Sequence, residues 1–199
     1  MPQPHQSYAN HAGQQRPSRG RSLAVRLGLL ALIAIVLAGC APNLSSFALT
    51  DSDIPVPGFV AEKPKTDELA GSGQNHNFEV AFNRDRPCTG NTTVHNGNDY
   101  ILQLIIWYKA SADAKDRYDG IVATDQMSTL VDKLKTHVSD PQIGDQASLY
   151  TEVNHRGELV GYHLTFYQGH TVVELIFSGT CANADQLVAL GQIVAKRIK

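Results

Sequence analysis

Apolar and polar positions alternate over Phe78, Val80 and Phe82, with Glu79, Ala81 and Asn83 between them. A period of two predicts a half-buried strand, and the turn residues of 83–90 end it. Tyr100–Lys109 is apolar at almost every position, with Ile101, Ile105, Ile106, Trp107 and Tyr108, the pattern of a central strand covered on both faces. The period then lengthens. Tyr118, Ile121, Val122, Met127, Leu130, Val131 and Leu134 recur at helical spacing, and Ser111 stands ahead of them as an N-cap. A helix is expected over Ala112–Val138, with a break or kink at Gly120. It ends at Ser139-Asp140-Pro141, because a proline disfavours helical backbone in the residue before it.

Three strands follow, Ala147–His155, Leu159–Tyr167 and Thr171–Ser178, joined by Arg156-Gly157 and Gln168-Gly169. Connections that short imply an antiparallel meander. Asn183 and Gln186 have the spacing of a capping box, and Leu187, Leu190, Val194 and Ile198 share one face of a final helix. Its closing Lys196, Arg197 and Lys199 suit the negative end of the helix dipole. The order ββαβββα is an α+β fold, an antiparallel sheet of about five or six strands with two packed helices.

Ahead of this domain, Arg16, Arg19, Arg21 and Arg26 precede the uncharged apolar run Leu27–Leu37. These are the n-region and h-region of an export signal. A permanent span needs about 20 apolar residues, and this run is shorter. It ends in Leu37-Ala38-Gly39-Cys40, which resembles the lipobox of type II bacterial signal peptides. The n-region is longer than is usual in that family. The resemblance implies removal of residues 1–39, a lipid such as palmitate on Cys40, and a domain held outside the cytoplasm at a bacterial membrane. Pro42, Pro55 and Pro57, with Ser, Asn and Asp between them, make 40–58 read as a lipidated tether, with a short helical turn at Ala48–Ile54. The folded domain is then 59–199, and within it the polar stretch Lys63–Asn75, which lacks a period, reads as a surface loop.

Cleavage changes the charge. The whole chain carries 17 basic and 19 acidic residues, and loss of four arginines leaves 13 against 19, a net charge of −6 in place of −2. An acidic surface is repelled by nucleic acid and anionic headgroups, so nucleic acid is excluded as a partner and membrane attachment falls to the lipid. With Cys40 acylated, Cys88 and Cys181 remain as a pair in a compartment where disulfides persist, and they are expected to be bonded. Neither a C-x-x-C nor converging ligands at metal spacing occur, so a metal and a cofactor are not expected.

The element order, with the turn Pro141-Gln142-Ile143-Gly144-Asp145 before the meander, resembles a loose group of small bacterial lipoproteins, and the topology is similar to PsbP/Mog1-like domains. That resemblance is topological and brings no catalytic residues.

Two-residue hairpins would set Tyr150 opposite His163, and His163 opposite Glu174. Leu149, Val153, Val160, Tyr162, Leu164, Phe166, Val173, Leu175 and Phe177 would then gather on the other face as a core. Tyr150, His163 and Glu174, with Glu152, form either a ligand-binding or acid/base patch, since a carboxylate beside imidazole raises its basicity, or a cross-strand polar ladder on a solvated face. No activated nucleophile is placed beside the histidine, as covalent catalysis requires. His155, His163 and His170 point to different places. Trp107 and Tyr108, with Ile105, Val172 and Ile176, are either the lining of an apolar pocket or core. The expected function is a non-enzymatic binding or accessory module, with a protein partner in an envelope complex or a small apolar ligand. The alternatives are a hydrolase-like enzyme using His163 and Glu174, and an extracytoplasmic sensor.

Overall fold

A computed structural model describes residues 42–68, 76–88 and 99–198. The segment read as an export signal and Cys40 lie outside the described residues. The elements are β1 (Val60–Ala61), β2 (Lys65–Glu68), β3 (His76–Arg84), β4 (Asp99–Trp107), α1 (Ser111–Leu130), β5 (Lys135–Ser139), β6 (Gln146–Val153), β7 (Leu159–Gln168), β8 (Thr171–Ser178) and α2 (Ala184–Arg197), with short 3₁₀ turns at Leu44–Ser46 and Asp51–Asp53. The strands form one antiparallel sheet ordered β1-β3-β4-β8-β7-β6-β5, and β2 also pairs with β3.

The α+β class and the antiparallel sheet agree with the sequence pattern, but the described residues form eight strands rather than five or six. Strand β2 lies in the stretch expected to be a loop, where Lys65-Thr66-Asp67-Glu68 pairs along β3 and Lys65 Nζ donates to Glu79 at 2.9 Å. Strand β5 occupies the stretch expected to close the long helix. That helix runs unbroken through Gly120 but ends at Leu130, and Lys133 then turns the chain with a left-handed φ of 55°. The sheet-facing stripe of α1 is Ala114, Tyr118, Ile121 and Asp125. Met127, Leu130 and Val131, read as part of the buried stripe, are exposed, since Met127 lies about 200° round the helix from Asp125 at 3.6 residues per turn. Chain 135–139 instead pairs with β6, whose outer backbone groups would otherwise lack partners.

Both faces of the sheet are covered. On one, Phe78, Val80, Phe82, Ile101, Ile105, Leu149, Leu164, Phe166, Val173, Leu175 and Phe177 pack under Leu187, Leu190 and Val194 of α2. Asn183 caps α2, its side chain accepting from the Gln186 N–H at 3.0 Å. The core expected from the alternation is therefore present, except that Val153 and Val160 stay half-buried where the β6–β7 register shifts beyond Glu152. On the other face, α1 covers a smaller cluster of Ile106, Tyr108, Ala114, Ile121 and Val172.

The segment read as a tether packs into the larger core. Leu44, Phe47, Ala48, Leu49, Ile54 and Phe59 are all buried there. The prolines that suggested extended chain sit between these side chains and leave them free to turn inward. Two polar contacts fasten the segment. The Leu49 N–H donates to Oε1 of Gln103, a fully buried amide in the middle of β4, at 2.8 Å. Arg197, at the end of α2, donates to the Ala48 carbonyl and at 2.7 Å to Asp53. Cys88 and Cys181 form the expected disulfide, with Cα atoms 5.1 Å apart.

A chain beginning at Phe59 should not fold cooperatively. It loses Leu44, Phe47, Leu49 and Ile54, each worth about 1.5–3 kcal/mol when buried, a total comparable with the roughly 5–15 kcal/mol that holds a domain together. Thermal unfolding followed by near-ultraviolet circular dichroism checks this, and an unchanged transition would restore the tether.

Candidate functional site

Tyr150 does stand opposite His163, but the second hairpin differs from expectation. Its turn is Gly169-His170, with Gln168 opposite Thr171, so His163 faces Ile176 and Thr165 faces Glu174. Gly169, with φ of 56°, takes the first central position, where a two-residue hairpin favours glycine. The register is displaced by two residues, which keeps every side chain on its face. His163 and Glu174 thus remain neighbours on the diagonal, Nε2 to Oε2 3.6 Å.

This face is not solvated. Helix α1 lies over it and leaves His163 only 4% exposed. The helix also delivers Asp125, and β5 delivers Lys135, two residues that the strand pattern gave no reason to place here. The signal for Asp125 was its position four residues after Ile121 on the buried stripe. His163 Nδ1 lies 3.1 Å from Asp125 Oδ2 and 2.8 Å from Lys135 Nζ. Lys135 also reaches Asp125 Oδ1 at 2.7 Å and Glu152 at 3.6 Å, and Arg117 reaches Glu174 at 3.5 Å.

Two neighbours compete for Nδ1. A neutral imidazole accepts from the Lys135 ammonium; a protonated one pairs with Asp125 Oδ2, which otherwise has no donor among the described residues. Charge balance favours the protonated form, since Asp125, Glu152 and Glu174 outnumber Lys135 and Arg117. Burial pulls the His163 pKa down and Lys135 opposes protonation, but pairing with Asp125 and Glu174 outweighs both and raises it above the ordinary value. Burial likewise pushes Asp125 and Glu174 up, yet His163 with Lys135 or Arg117 holds each below the usual carboxylate range.

Beside this cluster is a cavity of about 560 Å³ between α1, β5, β6 and the connection 140–146. Tyr118, Gln126, His137, Asp140, Ser148 and Tyr150 are among its lining residues; His163 and Glu174 are not. The connection is shaped from within. Ile143 is buried in the larger core, the Asp145 N–H donates to the Tyr167 carbonyl at 2.8 Å, and the Asp145 carboxylate accepts from the Gly169 N–H at 2.8 Å. Gly144 adopts a φ of 58° between them, and a β-carbon there would collide with the Tyr167 carbonyl.

A chain of hydrogen bonds runs along the wall. Ser148 donates to Asp140 at 2.8 Å, so the Tyr118 hydroxyl, 3.1 Å from Ser148, donates to it in turn. His137 Nε2 lies 2.9 Å from the same Asp140 oxygen, and its ring meets Tyr150 edge-on at 5.3 Å. Bonds from His137 and Ser148 hold the Asp140 carboxyl below its ordinary range. Burial raises both tyrosines, Tyr118 and Tyr150, which therefore stay neutral. The order is serine, carboxylate, histidine. A nucleophile needs the histidine beside the serine with the carboxylate behind it, so this chain orients hydrogen-bonding groups without activating Ser148.

Trp107 is core. It packs in the larger cluster, between His76 and His170 at ring distances of 6.0 and 6.1 Å, and borders a small cavity of about 150 Å³ with Pro42, Phe47 and Ile198. Ile105 also lies in that cluster, whereas Val172 packs under α1. Cys88, Asp99 and Cys181 lie at metal-ligand spacing. The two sulfurs are bonded to each other, however, and the Arg84 guanidinium sits 2.8 Å from both.

The charge cluster sets a pH dependence. The raised His163 contributes stability that is complete below its ordinary value of 6.5 and disappears as pH rises through the folded value. The lowered Asp125 and Glu174 contribute above their ordinary 3.8 and 4.5 and lose that contribution as pH falls through their folded values. Urea unfolding should therefore show greatest stability between about pH 4.5 and 6.5, and His163→Gln should remove the decline on the alkaline side. An identical alkaline decline in the variant would exclude His163 as its source. Asp125→Ala, which strands Lys135 and His163, should cost about 3–5 kcal/mol in the same assay.

No protein-family profile and no curated protein matches the sequence. Among solved structures, the fold is similar to the extracellular domain of PknH from Mycobacterium tuberculosis, with a TM-score of 0.53 at 10% identity over 77% of this chain and 93% of that one. At that identity the likeness is one of fold.

Proposed function

We propose that this chain is an extracytoplasmic lipoprotein, held at a membrane by a lipid on Cys40, and that it acts as a non-enzymatic binding module through the cavity between α1, β5 and β6. The location is supported by the resemblance to a lipobox, by the Cys88–Cys181 disulfide, and by a fold shared with a domain that is itself extracellular. The observation that carries the binding role is the cavity. Its volume, about 560 Å³, falls within the roughly 300–1,000 Å³ of small-molecule sites. Tyr118, Ser148 and Tyr150 are buried at its wall, and the hydroxyls of Tyr118 and Ser148 are already oriented. The polar lining moves the ligand class from the apolar molecule expected at Trp107 to a polar one. His163 and Glu174 serve as structural support behind Tyr150 rather than as acid and base.

Two measurements test this reading. Intact mass of the exported protein should show loss of residues 1–39 with an acyl mass on Cys40; cleavage without acylation would sink the anchor. Val122 lines the cavity from α1, and Val122→Trp fills it. Small molecules co-purifying from an envelope extract with the native protein should be absent from that variant by mass spectrometry. An identical set from both would place the binding elsewhere.

A further inference from the structure

The lining of the cavity carries a charge pattern that selects among polar ligands. Asp119, Asp140 and Asp145 line it, and neither lysine nor arginine is among its lining residues, although Lys115, one turn earlier on α1, pairs with Asp119 from outside the lining. The group there able to become cationic, His137, is fastened to Asp140 at 2.9 Å. The hydrogen-bond chain reinforces this polarity. Tyr118 gives its proton to Ser148 and Ser148 gives its own to Asp140, so those two hydroxyl protons are spent within the wall. Beyond that chain the lining offers carboxylate oxygens, hydroxyl lone pairs and the amides of Gln126, Gln142 and Gln146, which both donate and accept. Three aromatic rings, Tyr118, Tyr150 and His137, are part of the same lining, and an aromatic face attracts a cation that has left water. An anion entering here would meet three carboxylates and neither lysine nor arginine in the lining.

A metal ion is the poorer match. Among the described residues, the grouping of His, Cys, Asp or Glu at metal spacing is Cys88, Asp99 and Cys181, on other elements. The three cavity aspartates do not converge in that way. They come from α1, from the end of β5 and from the start of β6, spread around a space of about 560 Å³. Separated carboxylates with aromatic rings suit a larger cation that spreads its donors. We infer that the cavity recognises a small organic cation, an ammonium or guanidinium compound, bound between Asp119 and Asp140 over the rings of Tyr118, Tyr150 and His137.

This inference rests on the cavity being the ligand site, and the experiment separates the two. The exported full chain is titrated at about 0.15 M salt, where the Debye length is near 8 Å and diffuse attraction is screened. The probes are agmatine as the cation, glucose as a neutral polyol and citrate as an anion, followed by heteronuclear NMR. Agmatine should saturate shift changes at Tyr118, His137 and Ser148, while glucose and citrate leave them unmoved. Asp140→Asn should weaken agmatine by about tenfold through loss of a close charge pair. Asp119→Asn, on the exposed side of α1, should weaken it severalfold in a protein whose thermal transition is unchanged. Saturable binding of glucose or citrate at these residues, without agmatine, would keep the cavity as a binding site and overturn the cation. Shifts scattered over the surface, or equal affinities in both variants, would also overturn it. Silence from all three probes would overturn the cation, leaving the Val122→Trp comparison to decide the site.

Discussion

Helix α1 is held on the sheet by a buried charge pairing, and much of the molecule's candidate chemistry depends on that contact. The helix is poorly amphipathic: its sheet-facing stripe is Ala114, Tyr118, Ile121 and Asp125, and its larger apolar residues Met127 and Leu130 are exposed. Apolar burial in its docking is confined to Ala114, Tyr118 and Ile121 and the small cluster around Ile106, Tyr108 and Val172. Asp125 reaches His163 on β7 and Lys135 on β5, tying three elements at one point. Such pairings offset the cost of taking charge from water without adding much net stability. What they add is position, because displacing α1 would leave an imidazole and an ammonium buried without their carboxylate.

That position builds the cavity. With α1 set by Asp125, Tyr118 about two turns earlier comes to rest against Ser148 and closes one wall. Strand β5 carries Lys135 into the charge cluster and His137 into the cavity, two residues apart and hence on the same side of the sheet. Tyr150 lies between the two sites, opposite both His137 and His163. The charge cluster is thus the framework behind the proposed ligand site; His163, Glu174 and Glu152 were conspicuous in the sequence, whereas Asp125, Lys135 and most of the cavity lining were not.

The other face works by ordinary apolar burial, with one unusual contributor. Residues 44–59 supply six side chains to a core whose remaining cover is the single helix α2. The amide of Gln103 inside β4 makes sense in that light, since it satisfies the Leu49 N–H where the incoming segment crosses the sheet. Arg197 repeats the arrangement at the end of α2, fixing the Ala48 carbonyl and Asp53.

Local sequence determined the elements whose side chains alternate or recur strongly. The strands around Phe78–Phe82, Ile101–Trp107 and the meander and the capped final helix all follow from short-range pattern, whereas the bonded cysteines, 93 residues apart, follow from counting the pair left beside Cys40. So did the face shared by Tyr150, His163 and Glu174, because a two-residue change in register leaves faces unaltered. The tertiary structure decided what covers each face. It ended α1 at Leu130 and gave Lys135–Ser139 to the edge of the sheet, where backbone pairing outweighed a helical spacing of apolar residues. It turned Lys65–Glu68 into a strand through β3 and drew the proline-rich segment into the core. It also brought Asp125 to His163 and Asp140 to Ser148 across 38 and 8 residues, the latter about a reversing loop. Periodicity reports which side of an element is buried, whereas the identity of the neighbour depends on long-range packing that no local pattern encodes.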